Sequence, residues 1–335
     1  MRKIRLGKTG IVVNKNGFGA LPIQRRNMED AVKILRKAYE NGIDFFDTAR
    51  AYSDSETKIG NALSDVRDKI FISTKTIATT ADKLREDLET SLEELKTDYI
   101  DLYQLHNPAF CPKPGDESGI YDEVLKAKEE GKIRHIGITN HRHTVAMEAI
   151  ESGLYETMQF PFSYLADEKD FNIMKKSVES DMGFLCMKGL AGGLIKRSEV
   201  AYAYMAQFDG VLPIWGIQLE EELDEFLSYQ DNEPVLDDEM KAFIEEEKKE
   251  LSGDFCRGCG YCMPCPMEIV INQCNRMSLM IRRAPEEAWT NEHWQKEMAK
   301  IDTCLECRQC VSRCPYDLDI PNTLKKNYED YKTFL

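Results

Sequence analysis

Four polar side chains and two runs of cysteines stand at spacings that could do chemistry. Asp47, Tyr52, Lys75 and His106 lie at, or a few residues past, the ends of three successive apolar runs. A phenol has a pKa of about 10, too high for an efficient proton donor at neutral pH, but a neighbouring ammonium stabilises phenolate and lowers that value. Lys75 can do this for Tyr52, Asp47 can pair with Lys75 and hold it, and His106 can hydrogen-bond a substrate oxygen and orient a carbonyl. Singly, each residue has an ordinary explanation as a loop cap, a solvated cation, a packed ring or a satisfied histidine. On consecutive strand ends the four together suit carbonyl reduction.

The cysteine runs are Cys256-x2-Cys259-x2-Cys262-x2-Cys265-Pro266 and Cys304-x2-Cys307-x2-Cys310-x3-Cys314-Pro315. Zinc usually takes its ligands in pairs, whereas three cysteines at successive x2 spacings wrap one face of an iron–sulfur cubane and a fourth before proline reaches another cluster. The spacing therefore predicts iron and sulfur. The first run is one residue shorter before Cys265 than the second is before Cys314, which leaves the assignment of Cys265 open. Cys111, Cys186 and Cys274 read as ordinary buried thiols, and His135, His141, His143 and His293 offer no ligand spacing.

The elements that must position these residues follow from periodicity. Apolar runs at Val13–Gly19, Ile43–Asp47, Ile70–Thr76, Tyr99–His106, Ile133–Asn140, Thr157–Pro161, Gly183–Lys188 and Val211–Gly216 alternate with helical patterns. Examples of the latter are Met28–Asn41, ended by Gly42, and Thr80–Leu95, where Thr79 and Asp82 fit a capping box. Eight such units predict an α/β fold, a closed (β/α)8 barrel with its chemistry at the C-terminal strand ends. A Rossmann sheet is disfavoured, because no Gly-x-Gly-x-x-Gly follows the first strand. Residues 220–250 hold 14 Asp or Glu against 3 Lys, an acidic border. The expected division is a barrel over 1–233, a helical linker over 234–254 with Met240, Phe243, Ile244 and Leu251 on one stripe, and a small cysteine-rich domain over 255–335. Apolar Ile269, Ile271, Met277, Leu279 and Met280 predict a helical core for that domain.

The chain has 335 residues, 42% of them hydrophobic, and a net charge of −15, which argues against nucleic acid or an anionic membrane surface as partner. No apolar stretch approaches a membrane span, and the Met-Arg-Lys-Ile-Arg start leads into polar residues. A cytoplasmic protein is expected, one whose 11 cysteines stay reduced and serve as ligands or buried thiols rather than disulfides.

The chain resembles the aldo-keto reductase family over about residues 1 to 228. The resemblance runs through Gly-Ile-Asp-Phe-Phe-Asp-Thr-Ala-Arg-Ala-Tyr at 42–52, Ser-Thr-Lys at 73–75, Leu-Tyr-Gln-Leu-His at 102–106, Gly-Lys-Ile-Arg-His-Ile-Gly at 131–137 and Leu-Ala-Gly-Gly-Leu at 190–194. It implies a barrel with a nicotinamide cofactor across its mouth and Asp47, Tyr52, Lys75 and His106 as the catalytic four. It further implies Asn140 and Gln159 at the nicotinamide carboxamide, and Gly192 and Gly193 near the pyrophosphate. Met187 stands where many members stack an aromatic ring. Gln218, Leu219 and Phe226, beside Glu220–Glu222, stand where many place residues for the adenosine 2′-phosphate, so NADH is expected to bind at least as well as NADPH. The C-terminal region resembles an α-helical ferredoxin with two [4Fe-4S] clusters. That resemblance implies crossed ligation, with Cys256, Cys259, Cys262 and Cys314 on one cluster and Cys304, Cys307, Cys310 and Cys265 on the other.

The expected function is an iron–sulfur oxidoreductase exchanging hydride between NAD(P)H and a small carbonyl or alcohol substrate, with Tyr52 as proton donor. One alternative feeds electrons from a redox protein partner docked at the ferredoxin-like domain through the clusters and a flavin, for which Met187 and Trp215 would be neighbours. Another is a non-catalytic electron-transfer or regulatory subunit.

Overall fold

The apolar run from Val13 to Gly19 makes two strands rather than one. In the computed structural model, which describes residues 2–251, 255–283 and 287–335, β1 (Lys3–Arg5) and β2 (Val12–Asn14) form an antiparallel hairpin, and β3 (Gly17–Gly19) begins afresh. Lys15 makes the break. Its ammonium turns inward to the carbonyls of Ala206 (3.0 Å) and Phe208 (2.6 Å), acceptors that a continuous strand would not offer a buried lysine. Residues 252–254, the end of the expected linker, lie outside the described residues, as do residues 1 and 284–286.

Seven further strands follow: β4 (Phe45–Asp47), β5 (Phe71–Thr76), β6 (Ile100–His106), β7 (Ile133–Thr139), β8 (Thr157–Pro161), β9 (Gly183–Met187) and β10 (Val211–Gly216). With β3 they close an eight-stranded parallel barrel in the order β10-β3-β4-β5-β6-β7-β8-β9. The strands alternate with α1 (Met28–Glu40), α2 (Ser55–Leu63), α3 (Ala81–Leu95), α4 (Ile120–Glu129), α5 (His143–Ser152), α6 (Glu168–Glu179), α7 (Ser198–Ala206) and α8 (Glu220–Asp231). This is the expected (β/α)8 fold. The cap of α3 is one residue later than expected: Thr80, in extended conformation, accepts from the Lys83 amide, so Thr79 and Asp82 do not form the box.

The two-residue period of β5 sorts its side chains. Ser73 and Lys75 face the barrel interior, while Thr74 and Thr76 face outward and donate to Glu56 and Asp87, each at 2.5 Å. Those contacts pin α2 and α3 to the strand by buried hydrogen bonds as well as by apolar packing.

The described chain divides into two compact units, Met1–Gly189 with Ser198–Leu236, and Leu190–Arg197 with Asp237–Leu335. The second unit holds α9 (Asp238–Glu250) and a series of short helices: α10 (Ile271–Cys274), α11 (Met277–Ile281), α12 (Glu287–Thr290), α13 (Glu292–Ala299), α14 (Gln309–Arg313) and α15 (Ile320–Tyr331). Its core gathers Ile269, Ile271, Cys274, Met277, Ile281, Met298, Ile301, Leu318, Ile320, Leu324 and Tyr331 around Cys256 and Cys262. Leu279 and Met280 are only half-buried. The acidic α9 is solvated on most of its surface but buries Ile244 and Glu247, and Leu251 is buried just past its end. No described helix is long and apolar enough to cross a membrane.

Candidate active site and cysteine cavity

Asp47, the last residue of β4, is 3% exposed, and its carboxylate binds three side chains that between them span the barrel. Its Oδ2 accepts from Lys75 Nζ at 2.7 Å and from Gln159 Nε2 at 3.2 Å, and its Oδ1 accepts from Ser73 Oγ at 3.0 Å. Because β4 and β8 are not adjacent, the Gln159 bond crosses the interior. Gln104 Nε2 completes the net, donating to Ser73 Oγ (2.9 Å) and Gln159 Oε1 (2.6 Å). Lys75 is 1% exposed and also reaches the Thr48 carbonyl at 2.5 Å. Burial pushes its pKa down, and the Asp47 carboxylate opposes the shift.

Tyr52 is carried on the β4–α2 loop, which is stitched to the edge of β5. Thr48 N donates to Ser73 O (2.8 Å), Arg50 N to Lys75 O (2.9 Å) and Tyr52 N to Ala49 O (3.0 Å). The Arg50 side chain adds an ion pair to the buried Glu56 and one to Glu94, the latter at 2.9 Å. As a result the Tyr52 ring centroid lies 5.2 Å from Lys75 Nζ and meets the His106 ring edge-on, with centroids 5.8 Å apart. Burial, aided by the Lys75 ammonium, lowers the His106 pKa from 6.5 to about 3, and its Nδ1 has no hydrogen-bond partner among the described residues. The structure thus brings together all four residues that the sequence singled out as catalytic.

The expected cofactor contacts are more dispersed. Asn140 is fully buried and its amide is committed: Nδ2 donates to Pro108 O (2.9 Å), and Oδ1 accepts from His141 N (2.9 Å) and Arg142 N (2.8 Å). Gln159 belongs to the Asp47 net. Met187 is half-buried at the end of β9, where its sulfur lies 3.9 Å from Thr139 Oγ1. Trp215 is 1% exposed between Tyr202 (5.9 Å) and Phe226 (4.7 Å), a place in the wall of the barrel. Gln218 accepts from Arg25 at 3.4 Å, and Glu220 pairs with Lys33 (2.6 Å) and Lys37 (2.8 Å). Gly192 and Gly193 are exposed with φ of +67° and +93°, and nothing stands within 4 Å of a Cβ built on Gly193. Lys196 in the same loop has its pKa pushed down by burial and then by Arg283 and Arg276, so three cations concentrate there. Arg283 is itself paired with Glu247 (2.8 Å) and Arg276 is buried, so the exposed glycine backbone and Lys196 are what this loop offers an anion such as a pyrophosphate.

In the second unit a small cavity of about 20 Å³ is lined by Cys265, Cys304, Cys307 and Cys310, with Cys262, Pro264, Pro266 and Ile269 among its other walls. Cys256, Cys259 and Cys314 come together with Cys262 elsewhere. Burial and the neighbouring Cys256, Cys259 and Cys314 push the Cys262 thiol up to about 12, and Cys259 and Cys314 raise Cys256 too. Such thiols stay protonated on their own, and a bound metal would favour their deprotonated, ligating form. Two groups of four sulfurs, one around a cavity, fit two metal clusters. Cys111, Cys186 and Cys274 are buried, Cys274 in the apolar core of the second unit. Sequence reasoning missed Gln104 and the bonding of Ser73, although both lie two residues from a singled-out side chain on the same strand. It also missed Arg276 and Arg283, which no ligand or strand pattern marks.

The profile described as "Aldo/keto reductase family" matches residues 15–209, and one described as "4Fe-4S dicluster domain" matches residues 255–319. An uncharacterized oxidoreductase, YqkF, of Bacillus subtilis is 29% identical over 217 residues, which are 61% of this chain and 69% of that protein. Methylglyoxal reductase DkgB of Yersinia pestis is 34% identical over 61% of this chain and 78% of its own length. L-galactose dehydrogenase of Arabidopsis thaliana is 34% identical over 40% of this chain, which spans about half of that relative, 47%. Among solved structures, the holo form of aldo-keto reductase AKR11C1 from Bacillus halodurans superposes with a TM-score of 0.65 at 22% identity, covering 74% of this chain and 96% of that one. An aldo-keto reductase from Klebsiella pneumoniae in complex with NADPH gives 0.61 at 21% identity, covering 73% and 94%. The chain belongs to the aldo/keto reductase family, oxidoreductases acting on C=O and CH–OH groups, and carries a 4Fe-4S dicluster domain after its barrel.

Proposed function

We propose that the barrel catalyses reversible reduction of a small carbonyl substrate by a nicotinamide cofactor, with Tyr52 as the proton donor. The observation that carries the reading is the Lys75 ammonium, buried against Asp47 with the Tyr52 ring 5.2 Å from its Nζ and His106 alongside. Bound nicotinamide would supply or accept the hydride, and bound clusters would pass single electrons. The chain's own residues divide the rest. His106, with a pKa of about 3, is neutral at physiological pH, so it orients the carbonyl oxygen as a hydrogen-bond donor and is no general acid. That leaves the proton to Tyr52. Lys75 stabilises its phenolate, and Asp47, fixed by Ser73 and Gln159, keeps Lys75 in place.

Tyr52→Phe tests the assignment better than Lys75→Met, because removing the ammonium leaves Asp47 a buried carboxylate without its cation. Tyr52→Phe is expected to keep cofactor binding and lower kcat by about 100- to 10,000-fold, the usual worth of a general acid. A variant turning over at the parent rate, across a carbonyl panel on which the parent is active, would sink the assignment.

The Gly192–Gly193 loop is the pyrophosphate site in this reading. The cations nearest Gln218 and Glu220 are already engaged, Arg25 by Gln218, Lys33 by Glu220, and Lys37 by Glu220 and Asp224 (2.6 Å). A 2′-phosphate would have to displace those carboxylates, so NADH is expected to bind at least as tightly as NADPH. Fluorescence titration with both decides it. For the clusters we assign Cys265, Cys304, Cys307 and Cys310 to one and Cys256, Cys259, Cys262 and Cys314 to the other, supported by the cavity lining and by the mutual charge effects among the second four.

A further inference from the structure

The Leu190–Arg197 loop and the first cysteine run meet at one side chain. Arg276, in the turn between α10 and α11, is 5% exposed. Its Nη2 donates to Gly192 O at 2.9 Å and contacts the Met280 sulfur at 3.3 Å. Its guanidinium also packs on Gly258, where a Cβ would stand 2.2 Å from Nη1 and where φ is +64°, so the position demands glycine. Gly258 lies between Cys256 and Cys259 and donates its N–H to the Cys256 sulfur at 3.4 Å. Arg276 Nε is buried with no hydrogen-bond partner among the described residues, and neither amide atom of the adjacent Asn275, 4% exposed, is paired. Buried polar atoms are nearly always satisfied, and a buried cation without its full set of acceptors is costly. An anionic centre at Cys256 would relieve that cost.

We infer that Arg276 is a positioning residue that raises the reduction potential of the cluster held by Cys256 and couples its oxidation state to the Gly192 loop. The inference rests on the ligand set proposed above. A [4Fe-4S] centre bound by four thiolates is anionic and gains one more negative charge when it accepts one electron; no bond forms or breaks. A buried cation beside it stabilises the reduced form more than the oxidised one. The same guanidinium holds Gly192 O, so the stronger pull in the reduced state is felt at that hydrogen bond. The other cysteine group lacks this arrangement among the described residues. The charged residues lining its cavity, Glu306 and Arg308, are exposed and paired with Lys325 and Asp319.

The test is a dithionite titration of the anaerobic, iron-loaded full chain, followed by electron paramagnetic resonance, for the parent, Arg276→Gln and Arg276→Lys. Hydrogen exchange of residues 190–197 is measured in both oxidation states. Arg276→Gln should lower the midpoint of one cluster by on the order of tenfold in its reduction equilibrium, about 59 mV for a one-electron couple, and leave the other unmoved. Arg276→Lys keeps the charge but not the planar fork, so it should retain most of the potential. Exchange at 190–197 should depend on oxidation state in the parent and not in either variant. Unmoved midpoints in an iron-replete Gln variant, equal shifts of both clusters, or redox-independent exchange in the parent would each overturn the inference. If the Gln variant fails to take up iron, a Lys variant whose loop still responds as the parent does overturns it. Iron far short of two clusters in the parent would overturn the ligand set itself, a failure separate from the loop readout.

Discussion

At the scale of single residues, the barrel mouth holds the Lys75 cation and the neutral His106 imidazole beside the Tyr52 ring. The His106 pKa, about 3 in the folded chain against 6.5 for a free side chain, means that the unfolded chain takes up a proton that the fold refuses across that window. Stability therefore falls as pH drops from 6.5 towards 3, by linkage. His106→Gln should flatten that part of the curve, read from urea midpoints at pH 7, 5 and 4; an unchanged acid dependence would show that His106 is not the group responsible. The same neutrality means that the rate profile between pH 5 and 8 should show no inflection belonging to His106. Asp47, Lys75, Tyr52 and His106 could be found from residue type and strand position alone. Arg276 could not, because its partners are a backbone carbonyl and a glycine face that arise only from folding.

At the scale of elements, the β4–α2 loop is the part that carries Tyr52, the proposed proton donor. Its one buried apolar side chain is the small Ala49, so it is held chiefly by the Arg50–Glu56–Glu94 cluster and by its stitching to β5. Arg50→Ala would leave the buried Glu56 carboxyl without its cation, and is expected to cost about 3–5 kcal/mol of stability. It should also lower kcat by loosening Tyr52, whereas Thr80→Ala at the cap of α3 should cost about 1 kcal/mol and leave kcat alone. Denaturant unfolding paired with turnover separates the two. Strand positions from β4 to β10 followed directly from apolar runs, since a parallel strand buried on both faces has little else to be. The start of the barrel was harder to read, because Lys15 reaches its acceptors only in the closed barrel, over a sequence distance that periodicity does not sample. The cap shifted from Thr79 to Thr80 because either hydroxyl suits the pattern and backbone angle decides.

At the scale of the whole molecule, two units of different physical character share one chain. The barrel is held by a large apolar interior, the second unit by short helices around its cysteines, with so little core that ligation and folding should be one process. Iron analysis should approach eight per chain if each group of four cysteines holds a cubane. Stripping the clusters with a chelator under oxidation should abolish the exchange protection of residues 255–283 and 287–335 while the barrel keeps its own unfolding transition. Leu190–Arg197 should lose protection along with them, because those eight residues pack with the second unit although they are strung between β9 and α7. That interleaving bears on how the chain is made and how it can be divided. A ribosome releases the 190–197 segment before any of the unit it completes, so the barrel can finish closing while this one loop still waits for its neighbours. Cutting the gene at residue 237 would give two fragments, one missing part of its own interior and the other displaying a loop with nothing to grip, so the two units cannot be separated by a single cut.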